Sequence, residues 1–293
     1  MIGPLIRSPR HVPRSTPLVP GRRRRLENLV SHAVETLAGP FGMWRLTRLA
    51  VERRDVSLPG LAPAFEGYRI AFLTDLHYSA VVPGWWVAKA VAAALDLRPD
   101  LILLGGDYLS HSTRYAPGLV DLLRPLAAPD GVFGVLGNHD HYVGARVVRD
   151  AIRAAGVVEL RNASTLLRRG SGVLALAGVG DLRFDAIDFA AAVAGIPVTV
   201  PRVVLSHDPD VFAFWPADLR LDLMLSGHTH GGQAHLPWMG PPYVPSQFGY
   251  RYLAGPVREG TRQLYVSRGI GAITAPFRWR CPPEITLLTL HPS

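Results

Sequence analysis

The amino-acid sequence predicts an α/β fold around a sheet that is partly parallel. From residue 68 onwards, short apolar strand patterns alternate with amphipathic helix patterns, which is typical of parallel sheets. The later strand patterns follow one another without long helices between them, so we expect part of the sheet to be mixed or antiparallel. Hydrophobic residues make up 48% of the 293 residues and charged residues 18%, so the chain can bury a sizeable core.

The first 50 residues differ in composition from the rest. Residues 1–25 carry seven arginines and no Asp or Glu, and they predict a basic disordered arm. Without these seven positive charges, the total of +8 falls to about +1. Over residues 26–50, apolar residues recur at helical spacing, which predicts an amphipathic helical extension. This helix could pack on the domain or lie in a membrane interface, and the sequence favours neither.

Residues 51–293 are expected to form one domain. The strand patterns lie at residues 68–74, 101–104, 132–136, 173–179, 202–205, 221–225, 263–266 and 285–290. The helix patterns lie at residues 85–97, 118–126, 143–155 and 186–194.

Composition also limits the chemistry and the location. Cys281 is the only cysteine, which excludes an intrachain disulfide and a thiolate metal cluster. No run of eighteen apolar residues occurs, and polar residues interrupt what would be the apolar core of an export signal. We therefore expect a cytoplasmic protein. The basic arm could hold it peripherally on the inner face of the cell membrane.

Five polar motifs come directly after predicted strands. They are Asp75-Leu76-His77, Gly105-Gly106-Asp107-Tyr108, Gly137-Asn138-His139-Asp140, Ser206-His207-Asp208 and Gly227-His228-Thr229-His230. Ligands of open α/β sheets bind outside the carboxyl ends of the strands, so we expect these motifs to meet there. Each motif alone is weak evidence, because an Asp can cap a helix and an Asn beside a Gly can form a turn. Their occurrence together, in this order, points to a functional site.

The motifs offer the side chains that bind first-row metal ions. Carboxylate, carboxamide and imidazole groups without thiolate suit Mn, Fe, Zn or Ni. The seven groups exceed the needs of one tetrahedral ion but suffice for two if one carboxylate bridges them. Two ions about 3.5–4 Å apart can clamp both oxygens of a displacement at phosphorus and lower the pKa of a shared water.

From about residue 68 to the C-terminus, the motif order resembles the calcineurin-like metallophosphoesterase superfamily. The resemblance implies a four-layer sandwich, with two mixed β-sheets flanked by helices, and two divalent metal ions (Mn, Fe or Zn). It implies one ion held by Asp75, His77, Asp107 and His230, and another held by Asp107, Asn138, His207 and His228. Asp107 would bridge the two ions. His139 would face the substrate as an acid or oxyanion stabiliser, and Asp140 would orient the His139 ring.

The extended motifs resemble one branch of this superfamily. They are Gly-Gly-Asp-Tyr at 105–108, Ser-His-Asp-Pro-Asp at 206–210 and Ser-Gly-His-Thr-His-Gly-Gly-Gln at 226–233. The branch contains small, often membrane-associated phosphohydrolases, including UDP-2,3-diacylglucosamine pyrophosphatases. The resemblance implies hydrolysis of a phosphodiester or pyrophosphate bond, with a lipid-linked nucleotide as the preferred substrate. A soluble phosphodiester or phosphomonoester is the alternative.

Two other functions fit the sequence less well. A nuclease could use the arginine arm, but the body of the chain is almost neutral and lacks an added domain for a basic groove. A non-catalytic interaction module on the same fold would be free to lose ligands, whereas this chain keeps all seven together with His139 and Asp140. An anionic membrane surface remains a candidate partner, and no protein partner is predicted.

The sequence does not identify the residues that bind the substrate. Four arginines could neutralise a substrate phosphate, namely Arg183, Arg251, Arg268 and Arg278, and the sequence does not say which points inward. Apolar loops follow two of the motifs, at Trp85-Trp86 and at residues 237–243. These loops could enter a lipid headgroup layer or grip an acyl chain, or they could simply cover the core.

Overall fold

The computed structural model describes residues 48–273 and 277–293. The predicted basic arm and almost all of the predicted helical extension lie outside these residues. The domain boundaries at residues 25 and 50 therefore stay predictions.

The described residues contain twelve strands and six α-helices. The strands are β1 (Ala50–Leu58), β2 (Tyr68–Leu73), β3 (Leu101–Leu104), β4 (Val132–Gly134), β5 (Val158–Glu159), β6 (Ala163–Arg169), β7 (Gly172–Gly178), β8 (Arg202–Leu205), β9 (Leu223–Ser226), β10 (Gly255–Glu259), β11 (Arg262–Val266) and β12 (Glu284–Pro292). The helices are α1 (Gly84–Asp96), α2 (Ala116–Leu123), α3 (Asn138–Val143), α4 (Ala145–Ala154), α5 (Phe189–Ala192) and α6 (Val211–Phe214).

The strands form two six-stranded mixed sheets. The first has the order β1-β12-β2-β3-β4-β5, in which β2 to β5 are parallel and β12 is antiparallel to β2. The second has the order β10-β11-β9-β8-β7-β6, in which β11, β9, β8 and β7 are parallel and both edge strands are antiparallel to their neighbours. The later strands thus include the antiparallel pairs that the sequence predicted.

Three apolar cores separate four layers. Because side chains alternate across a strand, Ala71 and Leu73 face the helices α1, α2 and α4, while Ile70 and Phe72 face the second sheet. On the far side of the second sheet, a third core packs that sheet against α5 and α6. The predicted sandwich of two mixed sheets flanked by helices is confirmed.

The secondary structure differs from the prediction mainly at the sheet edges. The four strands that the sequence patterns missed are β1, β5, β6 and β10, and each is the last strand at one side of its sheet. An edge strand is covered less than a central strand, so its apolar pattern is weak. The helix expected over residues 186–194 is shorter, because α5 spans only Phe189–Ala192.

The motif loops meet at one edge of the sandwich. They follow β2, β3 and β4 in the first sheet and β8 and β9 in the second, and these strands are parallel within each sheet. Backbone hydrogen bonds join the first two loops, from the N–H of Asp75 to the carbonyl of Gly106 and from the N–H of His77 to that of Asp107. The fold therefore brings the polar motifs to one place.

Candidate metal centre

The backbone at the motifs is strained in a consistent way. Five of the seven predicted ligands have positive φ angles, between 50° and 71°: Asp75, His77, Asp107, His228 and His230. This left-handed region is sparsely populated by residues with a Cβ atom. Such strain persists only where surrounding structure enforces it, and it concentrates at functional sites.

Two glycines allow side chains of other motifs to approach the backbone closely. A Cβ atom on Gly137 would overlap the Oδ1 atom of Asp107, and a Cβ atom on Gly227 would overlap the Oδ2 atom of Asp75. The two carboxylates can occupy these positions only because both motifs carry glycine there.

A first group of donor atoms belongs to Asp75, His77, Asp107 and His230. The Nε2 atoms of His77 and His230 are 3.0 Å apart, and the Nε2 of His230 is 3.4 Å from the Oδ1 of Asp75. The Nε2 of His77 is 3.5 Å from the Oδ2 of Asp107. All four side chains are buried, so these donor atoms face one another inside the protein.

A second group belongs to Asp107, Asn138, His207 and His228. Around the Nε2 of His207 lie the Oδ1 of Asn138 at 3.1 Å, the Nδ1 of His228 at 3.2 Å and the Oδ2 of Asp107 at 3.3 Å. Asp107 therefore contributes the same oxygen atom to both groups. The structure brings together all seven side chains that the sequence singled out as ligands.

The protonation states of the side chains in the centre indicate that a bound cation would stabilise it. Burial lowers the pKa values of His77, His228 and His230 well below the usual range, so these rings are neutral and each has a lone pair to offer. Burial and the neighbouring Asp107 raise the pKa of Asp75 to about 6 although His207 opposes them. Burial opposes a charge on His207, but the carboxylate of Asp107 outweighs it and raises that pKa. A bound metal ion would take the place of the extra proton on His207.

Hydrogen bonds behind the rings fix which nitrogen faces the centre. The Nδ1 of His77 lies 2.6 Å from the hydroxyl of Ser110, and the Nδ1 of His207 lies 2.8 Å from the carbonyl oxygen of Gly105. A carbonyl can only accept, so Nδ1 of His207 carries a proton and Nε2 is left for a ligand bond. Ser110 was missed in the sequence, because a serine three residues beyond Asp107 carries no pattern of its own.

His139 lies beside the donor groups and is not part of them. Its ring packs edge-on against that of His77, with 5.0 Å between the centroids, and it is half-buried. Its backbone N–H donates to the Oδ1 of Asp107 at 2.8 Å. Burial lowers the pKa of His139, with Arg183 among the charges that add to the effect although Asp107 opposes it. The ring is thus placed next to the centre with one side toward solvent.

The resemblance implies that Asp140 orients the His139 ring, whereas its observed partners are backbone N–H groups. Its carboxylate accepts four backbone N–H groups, from Asp107, Tyr108, Leu109 and Gly137, at 2.8–3.2 Å. Because Asp140 lies in the first turn of α3, its side chain reaches back to the N–H of Gly137 at the helix start. Within the described residues, no hydrogen bond joins it to the His139 ring, so it holds the Asp107 loop instead.

The contacts of the four arginines distinguish which of them could bind a substrate phosphate. Arg251 pairs with Glu259 on the surface, and Arg268 pairs with Glu52 and Glu284. Arg278 is buried behind His230. Arg183 alone of the four is both partly exposed and adjacent to the donor groups, with its Nη2 atom 3.3 Å from the Nε2 of His228.

The two buried groups of side-chain donors share one carboxylate. They lie at the carboxyl ends of the strands of a four-layer sandwich. This fold and this site together define a metal-dependent hydrolase. The calcineurin-like phosphoesterase family matches residues 68–232, which is more than half of the chain. The chain belongs to this family, and it is a hydrolase acting on phosphoester bonds. The family uses divalent metal ions, and two buried clusters could hold such an ion, namely Asp75, His77 and His230, and Asp75, Asp107 and His207.

Several bacterial proteins are similar to this chain. Phosphodiesterase YaeI of Escherichia coli is 38% identical over 230 residues, which cover 76% of this chain and 82% of that protein. The metallophosphoesterase YkuE of Bacillus subtilis is 33% identical, with 77% and 80% covered. UDP-2,3-diacylglucosamine pyrophosphatase LpxG of Chlamydia trachomatis is 27% identical, with 82% and 88% covered.

Proposed function

We propose that this protein hydrolyses a phosphodiester or pyrophosphate bond at a centre of two divalent metal ions. The observation that carries the proposal is the Oδ2 atom of Asp107, which lies 3.5 Å from the Nε2 of His77 and 3.3 Å from the Nε2 of His207. One carboxylate oxygen would thus serve both ions. Asp75, His77 and His230 would complete the first site, and Asn138, His207 and His228 the second.

The roles of the remaining residues follow from their positions. When bound, the two ions would polarise the phosphoryl group and supply hydroxide near neutral pH. The His139 imidazole lies beside the first donor group and would stabilise the departing oxygen, either by giving it a proton or by donating a hydrogen bond. Asp140 would keep Asp107 in place through its backbone hydrogen bonds.

We propose a lipid-linked nucleotide such as UDP-2,3-diacylglucosamine as the substrate. Its support is an apolar surface on the loop after the Gly-His-Thr-His motif, where Trp238 is fully exposed and Met239 and Tyr243 are about 70% exposed. Large apolar groups in solvent are typical of surfaces that bind apolar partners. The alternative is a soluble phosphodiester or phosphomonoester. The higher identity to the Escherichia coli phosphodiesterase than to the Chlamydia pyrophosphatase supports the soluble phosphodiester.

A hydrolysis panel with the Mn²⁺-loaded protein separates these substrates. It contains bis-p-nitrophenyl phosphate, p-nitrophenyl phosphate and UDP-2,3-diacylglucosamine, with metal content measured on the same samples. We expect two equivalents of metal and the highest kcat/KM on the lipid-linked nucleotide. Fast hydrolysis of the soluble diester or monoester alone would support the alternative, and absence of activity on all three compounds from a protein with two metals would contradict the proposed substrates.

We also propose that the catalytic domain, residues 51–293, acts peripherally at an anionic membrane through the arm (1–25) and the extension (26–50). Among the described residues, no helix is both long and apolar enough to cross a bilayer. The seven arginines of the arm could each contribute up to about 1 kcal/mol near anionic lipid. Co-sedimentation with vesicles should require anionic lipid, weaken with salt and fall when residues 1–38 are deleted. Equal recovery with neutral and anionic vesicles would contradict this.

A further inference from the structure

The loop after β7 places a cation and an aromatic ring side by side at the metal centre. We call residues 179–185 the Arg183 loop. The Nη2 atom of Arg183 lies 3.3 Å from both the Nε2 of His228 and the carbonyl oxygen of Pro245. The nearest carboxylate, Asp208, is 4.0 Å from its Nε. The described residues supply no hydrogen-bond partner to the Nη1 group, so the guanidinium keeps donors for an anion.

The next residue, Phe184, continues an aromatic surface that starts at His139. The ring of Tyr142 packs edge-on against Phe184 at 4.7 Å between centroids and lies 5.7 Å from the ring of His139. Phe184 and Tyr142 are 37% and 41% exposed. This aromatic wall, formed by Tyr142 and Phe184, therefore runs from the proposed proton donor out to the surface.

Internal hydrogen bonds and ion pairs hold the Arg183 loop in its conformation. The buried Asp181 accepts the backbone N–H groups of Arg183 at 2.9 Å and Phe184 at 3.0 Å. At the end of the loop, the carboxylate of Asp185 pairs with Arg161 and lies 3.3 Å from the Nε2 of His141. His141 in turn stacks on Phe184, with 5.5 Å between the ring centroids. Residues fixed in this way bind a ligand with little loss of conformational entropy.

We propose that the Arg183 loop forms the substrate subsite, in which Arg183 binds a phosphoryl oxygen and the aromatic wall stacks on a planar ring of the leaving group. We place the leaving group beside the aromatic wall, because the ring of Tyr142 contacts that of His139, the proposed proton donor. The substrate class is then a phosphoester with an aryl or nucleoside group next to phosphorus. This inference rests on the proposed function, since it uses the same metal centre.

Binding of two phosphonates tests the subsite without any turnover. Phenylphosphonate and methylphosphonate differ by one aromatic ring, and neither contains an ester bond. Their dissociation constants are measured by titration calorimetry on the full-length, Mn²⁺-loaded protein, after metal analysis of each variant. The result is independent of hydrolysis, so failure of the subsite is distinguishable from failure of the proposed enzymatic activity.

The wild-type protein should bind phenylphosphonate more tightly than methylphosphonate. Phe184→Ala should weaken only phenylphosphonate, by about three- to tenfold, because a ring pair is lost. Phe184→Tyr should keep the preference. Arg183→Ala should weaken both ligands by about 10- to 100-fold, because a charge-assisted hydrogen bond is lost.

Arg251→Ala, which removes a surface arginine paired with Glu259, is the control and should change neither constant. The unchanged binding of methylphosphonate by Phe184→Ala would also show that the loop is intact in that variant. Equal binding of both phosphonates by the wild-type protein would overturn the aromatic subsite. Equal effects of Arg183→Ala and Arg251→Ala would overturn the role of Arg183.

Discussion

The two donor groups contain the same kinds of ligand, but the arginines behind them differ. Behind the first group, Arg278 is buried and donates to the carbonyl oxygens of Gly271, His230 and Arg268 at 2.6–3.2 Å. Behind the second group, Arg183 is 38% exposed and donates to one carbonyl oxygen, that of Pro245. The guanidinium of Arg278 donates its hydrogen bonds within the fold, whereas the guanidinium of Arg183 has donors left for a ligand.

This difference shows why an arginine near a phosphate site is not by itself a substrate ligand. The carbonyl oxygens of Gly271 and Arg268 have no described donor other than Arg278, so its charge stabilises the chain beside His230. The side chain of Arg183 borders the solvent and the aromatic wall. We therefore expect that changes at the first group act on stability and metal retention, and that changes beside the second act on binding of the substrate.

The largest effect is expected where the two groups meet. Asp107→Ala should abolish measurable hydrolysis and release at least one metal ion, because the same oxygen atom faces both groups. Activity on bis-p-nitrophenyl phosphate and metal content measure this. Two retained ions and a near-normal rate would show that the two groups do not depend on a shared ligand.

The next effect concerns the proton donor between the first group and the aromatic wall. His139→Ala should retain the metals and lower kcat by roughly 10²–10⁴-fold, because general acid catalysis is lost. The loss should be smaller for a p-nitrophenolate leaving group, which needs little protonation. Metal loss in parallel with the loss of rate would instead make His139 a ligand.

The two arginines should differ in unfolding experiments. Arg278→Ala should lower the free energy of unfolding by roughly 2–5 kcal/mol, because buried carbonyl groups lose their donor. Arg183→Ala should lower it by less than about 1 kcal/mol, because Arg183 is partly exposed. Urea unfolding of both metal-free variants measures the difference. Similar losses of unfolding free energy in both variants would contradict the proposed difference between the arginines behind the two donor groups.

The smallest effect concerns acid stability of the Arg183 loop. Burial opposes ionisation of Asp185, but His141 and Arg161 outweigh it and lower its pKa to about 2. Because this pKa lies below the unfolded value of about 3.9, the ionised group stabilises the fold above about pH 4, and the contribution is lost as pH falls toward 2. Asp185→Asn should lower the free energy of unfolding by roughly 2 kcal/mol at pH 6 and by much less at pH 3.

The exposed helix residue Asp150 provides the control for this pH effect. Asp150 pairs with Arg153 at 3.7 Å on the surface of α4, so Asp150→Asn should change the free energy of unfolding little at either pH. Urea unfolding of both variants at pH 3 and pH 6 measures the comparison. An equal loss for Asp185→Asn at both values of pH would show that its charge does not stabilise the loop.

Much of the fold could be predicted from the sequence because the central strands are covered on both faces. Segments such as Leu101–Leu104 are continuous apolar runs, since one face packs on helices and the other on the second sheet. β10 (Gly255–Glu259) begins with glycine and proline and lies at an edge, where only pairing with β11 defines it as a strand. Edge strands depend on a neighbour that their own sequence does not contain.

The site, like the fold, could be predicted from the sequence only in part. The proximity of the ligand motifs followed from their places after parallel strands, as Asp75 and Asp107 illustrate. The direction of a side chain did not follow, and Asp140 is the example, because the start of α3 turns its carboxylate toward backbone N–H groups. Nor did the sequence separate Arg183 from Arg278, because that distinction depends on carbonyl groups that loops bring from elsewhere in the chain.

A shared Asp107 carboxylate can be tested most directly by electron paramagnetic resonance of the protein titrated with Mn²⁺. Two ions bridged by one carboxylate about 3.5–4 Å apart should be spin-coupled. We expect a coupled spectrum at two equivalents of Mn²⁺ in the wild-type protein, and only the signal of an isolated ion in Asp107→Ala. Saturation at one equivalent, or two equivalents without coupling, would contradict a two-metal centre built on Asp107.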